Sequence, residues 1–410
     1  MLKLPSWVYE LAEKVLIESI KYPTVLGNAY QDIVDYYAEI LAQHGVHVYI
    51  HKVPEEYVEK SLPIEANPGK PRFILLAKTG GGSSILQFNG HYDVVEPGDS
   101  WSITEPFKPV KIGDKIYGRG ASDMKAGLAV MVAILSYFAS REDVNITIEG
   151  VFVPDEEIGG MTGTGYLVDQ LGSRPNWVVI AEPSGFDNIW IGHKGLVWGY
   201  VLVRGIQVHG STPWLGDNAF EKMIMVASEF RNKYVDRIRE RVSKYNYQFP
   251  EGAKPTFTLG GKLLSPGSIN VVPGFSGFSI DRRLIVEERT VDVIREIEDL
   301  LKEISIEKNV NIEFKLVEKM EPAVTDPNSF IVRKTIEASS KVLGVKPNVT
   351  VCVGGLDMRY YLYKGIETVT YGPGEPDQPH KIDEYVTTHS IYRFIDIYYE
   401  LVNEISNSIG

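Results

Sequence analysis

VFVPDEEIGG, residues Val151 to Gly160, is the stretch from which the fold can be read. Apolar, strand-forming residues (Ile146, Ile148, Val151, Val153) run up to Pro154 and stop. Three carboxylates follow at once, Asp155, Glu156 and Glu157, and then Ile158 and two glycines. Acidic residues placed where a buried strand gives out lie at the rim of an α/β sheet, where such folds hold their ligands. Adjacent carboxylates repel unless a cation or a proton separates them. One side chain holding a metal beside another moving protons explains the pair. A solvated acidic turn is the simpler reading of DEE by itself.

The 410 residues exceed one ordinary core, so two domains are expected. A hydrophobic content of 44% with 23% charged residues is that of a globular protein. The net charge of −12 excludes nucleic acid and anionic membrane as main partners. A single cysteine, Cys352, excludes an internal disulfide framework and fits a reducing compartment. The N-terminal MLKLPSWVYELAEKVL is amphipathic and lacks the apolar core of a signal peptide. No window is expected to span a bilayer. The expected location is the cytoplasm.

From Ser6 to Gly45 the pattern predicts two amphipathic helices broken at Pro23, followed by a strand from Val46 to His51. Glu55 to Pro71 reads as a surface loop. Phe73–Lys78 and Ser84–Asn89, separated by the glycines 80–82, read as neighbouring strands. A buried helix is expected over Asp123–Ala139, and strands over Val144–Val153 and Trp177–Ala181. This alternation implies a doubly wound sheet. From about 191 to 317 the order becomes strand, helix, strand, strand, helix, strand, which is that of a ferredoxin-like unit. Residues 191–317 are therefore expected as an inserted domain, and 1–190 with 318–410 as a discontinuous α/β domain. The last part predicts a helix over Ser329–Leu343, strands over Val349–Val353 and Thr368–Tyr371, and a closing helix over Ile391–Ile405.

Further residues could carry chemistry. The strand ILQFNG runs into His91-Tyr92-Asp93, where His91 and Asp93 face the same way. His91 can ligate a metal while Asp93 orients its ring; a structural histidine at a strand end is the plainer alternative. Asp123, in GRGASDMKAG, is either a helix cap or a carboxylate with one oxygen for each of two metals. Glu182 closes the strand VVIAEP as a rim carboxylate or a ligand. His380 lies in a loop restricted by glycines and prolines, TYGPGEPDQPHKIDEYV. Together, His91, Asp123, Glu157, Glu182 and His380 supply two imidazoles and three carboxylates, enough for two divalent ions bridged by a shared carboxylate. Mixed nitrogen and oxygen donors favour zinc, with cobalt or manganese as substitutes. Glu156 is then free to act as general base.

HYD, SDMKAG, DEEIGG, AEP and the late PH–DEY, in this order, resemble the co-catalytic zinc hydrolases that include acetylornithine deacetylase, succinyl-diaminopimelate desuccinylase, aminoacylase and carboxypeptidase G. The resemblance covers nearly the whole chain. It implies a zinc exopeptidase-like catalytic domain with an inserted ferredoxin-like lid that forms a homodimer. It further implies Asp123 as the bridge, His91 with Glu182 on one metal and Glu157 with His380 on the other. Asp93 would orient His91, Glu156 would shuttle protons, and the Asp123–Met124 peptide would be cis. VHGSTPWLGDNA is similar to the family's lid segment, making His209 an oxyanion donor to a neighbouring site. SINVVPG and SIDRRLIVEE are similar to segments whose Asn270 contacts substrate and whose Arg283 binds a substrate carboxylate. In GGLDMRYYL, Leu356 stands where the family usually carries Ser or Thr, and Arg359 is a second carboxylate anchor. The implied activity is dizinc hydrolysis of the amide of a small N-acyl amino acid. A carboxypeptidase or dipeptidase of the same family is the near alternative, and a catalytically silent metal-binding dimeric scaffold the distant one.

Overall fold

The structure is a computed structural model and describes residues 4–409. Its main elements begin with helices α1 (Ser6–Ile20) and α2 (Tyr30–Gln43) and strands β1 (His47–Lys52), β2 (Phe73–Gly80) and β3 (Ile85–His91). Helix α3 (Ala126–Phe138) and strands β4 (Thr147–Val153), β5 (Trp177–Ile180) and β6 (Asn188–His193) follow. Next come β7 (Gly195–Arg204), α4 (Ala219–Ile238), β8 (Thr256–Leu264), β9 (Phe275–Leu284), α5 (Thr290–Lys308) and β10 (Asn311–Met320). The chain closes with α6 (Phe330–Leu343), β11 (Glu367–Thr370) and α7 (Thr388–Ile409). Two compact units result. One comprises Met1–Ile191, Thr325–Thr350 and Leu356–Gly410; the other comprises Gly192–Val324 and Val351–Gly355.

The first unit is built on a mixed sheet that runs β1-β2-β4-β3-β5-β11-β6. Its centre, β4-β3-β5-β11, is parallel, and the flanking pairs are antiparallel. The parallel strands are almost continuously buried because both faces are covered. Helix α3 packs against them with every residue buried except Tyr137. Gly127 lets it approach the end of β5: a Cβ there would lie 2.2 Å from the Ala181 carbonyl oxygen.

Three sequence expectations need correction. Strands β2 and β3 are not neighbours, because β4 lies between them. The glycine link passes over the start of β4 so closely that a Cβ on Gly82 would sit 1.8 Å from the Asn145 carbonyl oxygen. There the Thr147 amide donates to the Ser84 carbonyl and its hydroxyl to the Gly82 carbonyl, both at 2.8 Å. The expected loop 55–71 contains a helix, Glu55–Ser61, and a 3-10 turn, Ile64–Ala66. Pro54 precedes that helix, Glu55 and Glu56 sit in its first turn and Lys60 in its last, the charge order its dipole favours. Finally, Ala121–Phe138 is long and apolar enough to cross a membrane by length and composition. Here it is a core segment, mostly buried under α1 and against the sheet.

The second unit is an antiparallel sheet ordered β8-β9-β7-β10, the arrangement of a ferredoxin-like fold. Val197, Val201 and Val203 of β7 pack with Phe230 of α4 and Ile297 and Leu300 of α5 in one core. β10 continues to Met320, paired with Leu196, so this unit extends past residue 317.

Gly82→Ala should lower the denaturant midpoint by a ΔΔG of about 1–3 kcal/mol, since the added methyl overpacks rigid backbone. Gly81→Ala has nothing within 4 Å of its Cβ. It should stay within about 0.5 kcal/mol of the parent. Equal effects at the two positions would discount the crossing contact.

Candidate metal centre

The carboxyl ends of the parallel strands carry most of the site. Register sets His91, the last residue of β3, beside Val153, the last of β4. Asn89 pairs with Ile180, so two residues further His91 is level with Glu182. Asp123 comes from the tight turn Ala121–Lys125 that enters α3, and its peptide bond to Met124 is cis. His380 comes from the loop after β11.

These five side chains form two groups around Asp123. His91 Nε2 lies 3.2 Å from Asp123 Oδ1 and 3.4 Å from Glu182 Oε1. His380 Nε2 lies 3.4 Å from Asp123 Oδ2 and 3.0 Å from Glu157 Oε2. Each carboxylate oxygen of Asp123 thus faces a different imidazole. Within each group the donor atoms all fall within 4.8 Å of one another. Burial first, and then the Asp123 charge, pushes both Glu157 and Glu182 up to about 7. Hydrogen bonds to Asp123 and Glu157 raise His380 to about 10. Glu157 Oε1 is buried with no hydrogen-bond partner. Carboxylates packed this tightly call for positive charge among them. Two nitrogen donors and three carboxylates fit a pair of divalent ions better than a hydrogen-bonded cluster, which would leave that oxygen orphaned.

Glu156 belongs to neither group. Burial, with Glu182 and Asp357 adding to it, holds its carboxyl well above the usual range. Asp93 acts twice. Its backbone carbonyl is 2.9 Å from His91 Nδ1, closer than its carboxylate at 3.5 Å. The carboxylate instead accepts the backbone N–H groups of Glu156 (3.2 Å) and Glu157 (3.1 Å). One residue therefore orients the histidine and caps the acidic turn.

Beneath the turn lies a pair that the sequence reading missed. Asp155 adopts a left-handed backbone conformation, φ 63°. Its carboxylate accepts from Arg72 Nε at 2.6 Å, from Tyr30 Oη at 2.9 Å and from Thr162 Oγ1, all fully buried or nearly so. The other Arg72 donors reach the carbonyls of Ala66 (2.7 Å), Lys70 (2.8 Å) and Asn67 (3.2 Å). Arg72 had no signal in PGKPRF, whereas Asp155 was visible as the first acid of the run.

The remaining candidates are placed as follows. Arg359 is buried. It donates to the carbonyls of Leu356 (2.7 Å) and Gly159 (2.6 Å) and stacks on Tyr360, so its fork braces the end of the acidic turn. Arg283, in the second unit, is paired through both fork nitrogens with Asp281 at 2.8 and 3.1 Å. Pairing of Val208–His209 with Val271–Val272 makes His209 and Asn270 neighbours, and the Gly210 amide donates to the Asn270 carbonyl at 2.7 Å. His209 is exposed, and its Nδ1 accepts the Ser211 backbone N–H at 3.1 Å. A backbone amide can only donate, so the neutral ring carries its proton on Nε2.

Residues 87–404 match the model of a family described as peptidase family M20/M25/M40. A probable succinyl-diaminopimelate desuccinylase of Staphylococcus aureus (strain MRSA252) is 27% identical over 401 residues, spanning 90% of this chain and 94% of that protein. A metallo-carboxypeptidase from Sulfolobus solfataricus shares the fold with a TM-score of 0.73 at 21% identity, over 95% of this chain and 98% of that one. A tripeptidase from Staphylococcus aureus does so with a TM-score of 0.76 at 18% identity, over 99% and 100%.

Arg72→Met should destabilise the first unit by about 3–5 kcal/mol, because it leaves the Asp155 carboxylate buried without its partner. Adding Asp155→Asn should recover part of that loss in the same unfolding measurement. A single mutant as stable as the parent would show that Asp155 finds its compensation elsewhere.

Proposed function

The chain belongs to peptidase family M20/M25/M40, and on that premise we propose that it is a two-metal deacylase of small N-acyl amino acids. Membership makes it a metallohydrolase acting on amide or peptide bonds. The observation that carries the finer reading is Asp123, whose two oxygens face two different imidazoles. His91, Asp123 and Glu182 would hold one ion, and Asp123, Glu157 and His380 the other. Zinc suits these donors, with cobalt or manganese as substitutes. A pair of such ions, when bound, supplies Lewis acidity to the attacking water and to the carbonyl oxygen under attack.

The side chains do the rest. His91 Nδ1–H donates to the Asp93 carbonyl, which keeps the Nε2 lone pair turned toward Asp123 and Glu182. A Glu156 carboxylate oxygen takes the proton of the attacking water and returns it to the leaving nitrogen. Its raised basicity, from burial and the neighbouring carboxylates, matches that task. His209, with its proton on Nε2, is ready to donate to the oxyanion, and Asn270 beside it contacts the substrate. Arg283 would exchange its Asp281 partner for the substrate carboxylate. Arg359, held by the carbonyls of Leu356 and Gly159, steadies the turn that carries Glu156 and Glu157 and is the second anchor for that carboxylate.

Similarity over 90% of the chain to a probable succinyl-diaminopimelate desuccinylase supports a small N-acyl amino acid as substrate. Trp214, Leu215, Phe220 and Ile224 are exposed near His209 in the sequence and support a homodimer formed through the second unit. The single Cys352 supports the cytoplasm as its location. The direct test is hydrolysis of N-acetyl, N-succinyl and dipeptide substrates with zinc or cobalt added. Cleavage of dipeptides alone would assign a peptidase instead.

Glu156→Gln should keep both ions by elemental analysis and lose roughly 10²–10⁴-fold in turnover. Near-normal rates in the metal-replete variant would assign the base to another group.

His209→Ala should lower kcat by about 10²–10³-fold with little change in KM. Mixed with inactive Glu156→Gln, it should regain activity in heterodimers that join an intact Glu156 to a partner's intact His209. Subunit exchange with no regain would confine His209 to its own chain.

A further inference from the structure

We propose that the segment 380–384 is a latch, and that its acidic pair, Asp383 and Glu384, sets the affinity of the second ion, the one assigned to Asp123, Glu157 and His380. This rests on the two-ion reading above. His380 and Asp383 both adopt left-handed backbone conformations, with φ 65° and 55°. Such conformations persist in residues other than glycine only where surrounding contacts over-determine them. Those contacts are present. Glu384 is fully buried, and four donors meet its carboxylate. Oε2 accepts from Arg119 Nη1 at 2.7 Å and the Gly120 amide at 2.9 Å. Oε1 accepts from the amides of Ser122 at 2.8 Å and Asp123 at 3.0 Å. Glu384 therefore grips the turn that carries the bridging carboxylate.

Arg119 closes the arrangement from the other side. It donates to the carbonyls of Lys381 (3.2 Å), His380 (3.4 Å) and Pro97 (3.1 Å). Asp383 accepts the amides of Ser102 (2.9 Å) and Ile103 (3.0 Å), tying the same segment to the loop that follows Asp93. His380 is half exposed, and its ring nitrogen Nε2 meets the carboxylates of Asp123 and Glu157. Its position thus depends on the backbone of its own segment. His91 is fully enclosed and Glu182 continues β5, so the first group has support from the sheet that the second lacks. Asp383 and Glu384 are positioning residues: neither offers an oxygen to the donor groups.

The test is calorimetric titration of the metal-free full-length chain with Zn²⁺, alongside the visible spectrum of the Co²⁺ form. The parent should take up two ions. Glu384→Gln, which cannot accept at one of its two positions, should weaken the first ion, which shares Asp123, by no more than about 3-fold. Its second ion should bind about 10–100-fold more weakly, with one cobalt signature lost at matched concentration. Asp383→Ala, at a partly exposed position, should weaken the second ion by a smaller factor and leave the first as in the parent. If Glu384→Gln fails a circular-dichroism check of folding, the Asp383→Ala titration decides. Equal weakening of both ions, or unchanged binding of both, would overturn the latch. A parent that binds fewer than two ions would overturn the two-ion reading itself.

Discussion

Negative charge held in a largely water-excluded place is the constraint on which this structure turns. Asp93, Asp123, Asp155, Glu156, Glu157, Glu182 and Glu384 converge at the carboxyl end of one parallel sheet, most of them buried. An isolated carboxylate in such a place costs several kcal/mol after relaxation. All but Glu156 are matched by something specific. Asp155 has Arg72, Glu384 has Arg119 and three amides, and Asp93 has the amides of the acidic turn. Asp123, Glu157 and Glu182 are matched by two imidazoles. The proposed ions belong where the protein's own positive charge is thinnest.

The site has a rigid floor and strained corners. The floor is the parallel register of β3, β4 and β5, which sets His91 and Glu182 side by side from distant parts of the chain. The corners are Asp155, His380 and Asp383, each at positive φ without being glycine. All three lie in or beside segments that present donor atoms, and all three are held by buried or multiple hydrogen bonds. Strain kept in this way fixes a side chain where a relaxed loop would let it wander.

Much of this was legible in the residues. The apolar runs before His91, Glu157 and Glu182 announced strand ends at the rim of a sheet, because period and burial are written locally. The change to strand-helix-strand-strand-helix-strand after residue 191 likewise announced a second unit, seen as β7 to β10 with α4 and α5. The strand order was not legible. Two apolar runs joined by three glycines look like a hairpin, and only the close passage of Gly82 over Asn145 shows that β4 divides them. The helix at Glu55–Ser61 was hidden because a short polar helix has little apolar periodicity.

The amino-acid sequence by itself determined which donors exist, two imidazoles and three carboxylates at strand ends and in adjoining turns and loops, since these are properties of residue type and local pattern. Only the tertiary structure decided how they are held. Arg72 lies 83 positions from Asp155, and Arg119 lies 265 from Glu384. Asp93 gives its carbonyl to His91 and its carboxylate to the acidic turn, a division of labour that no spacing encodes. Arg359, which reads as an anchor for substrate, also donates to the Gly159 carbonyl, a contact that only folding brings within its reach. Residue chemistry is local, but the compensation of buried charge is a matter of who is near, and nearness is settled by the fold.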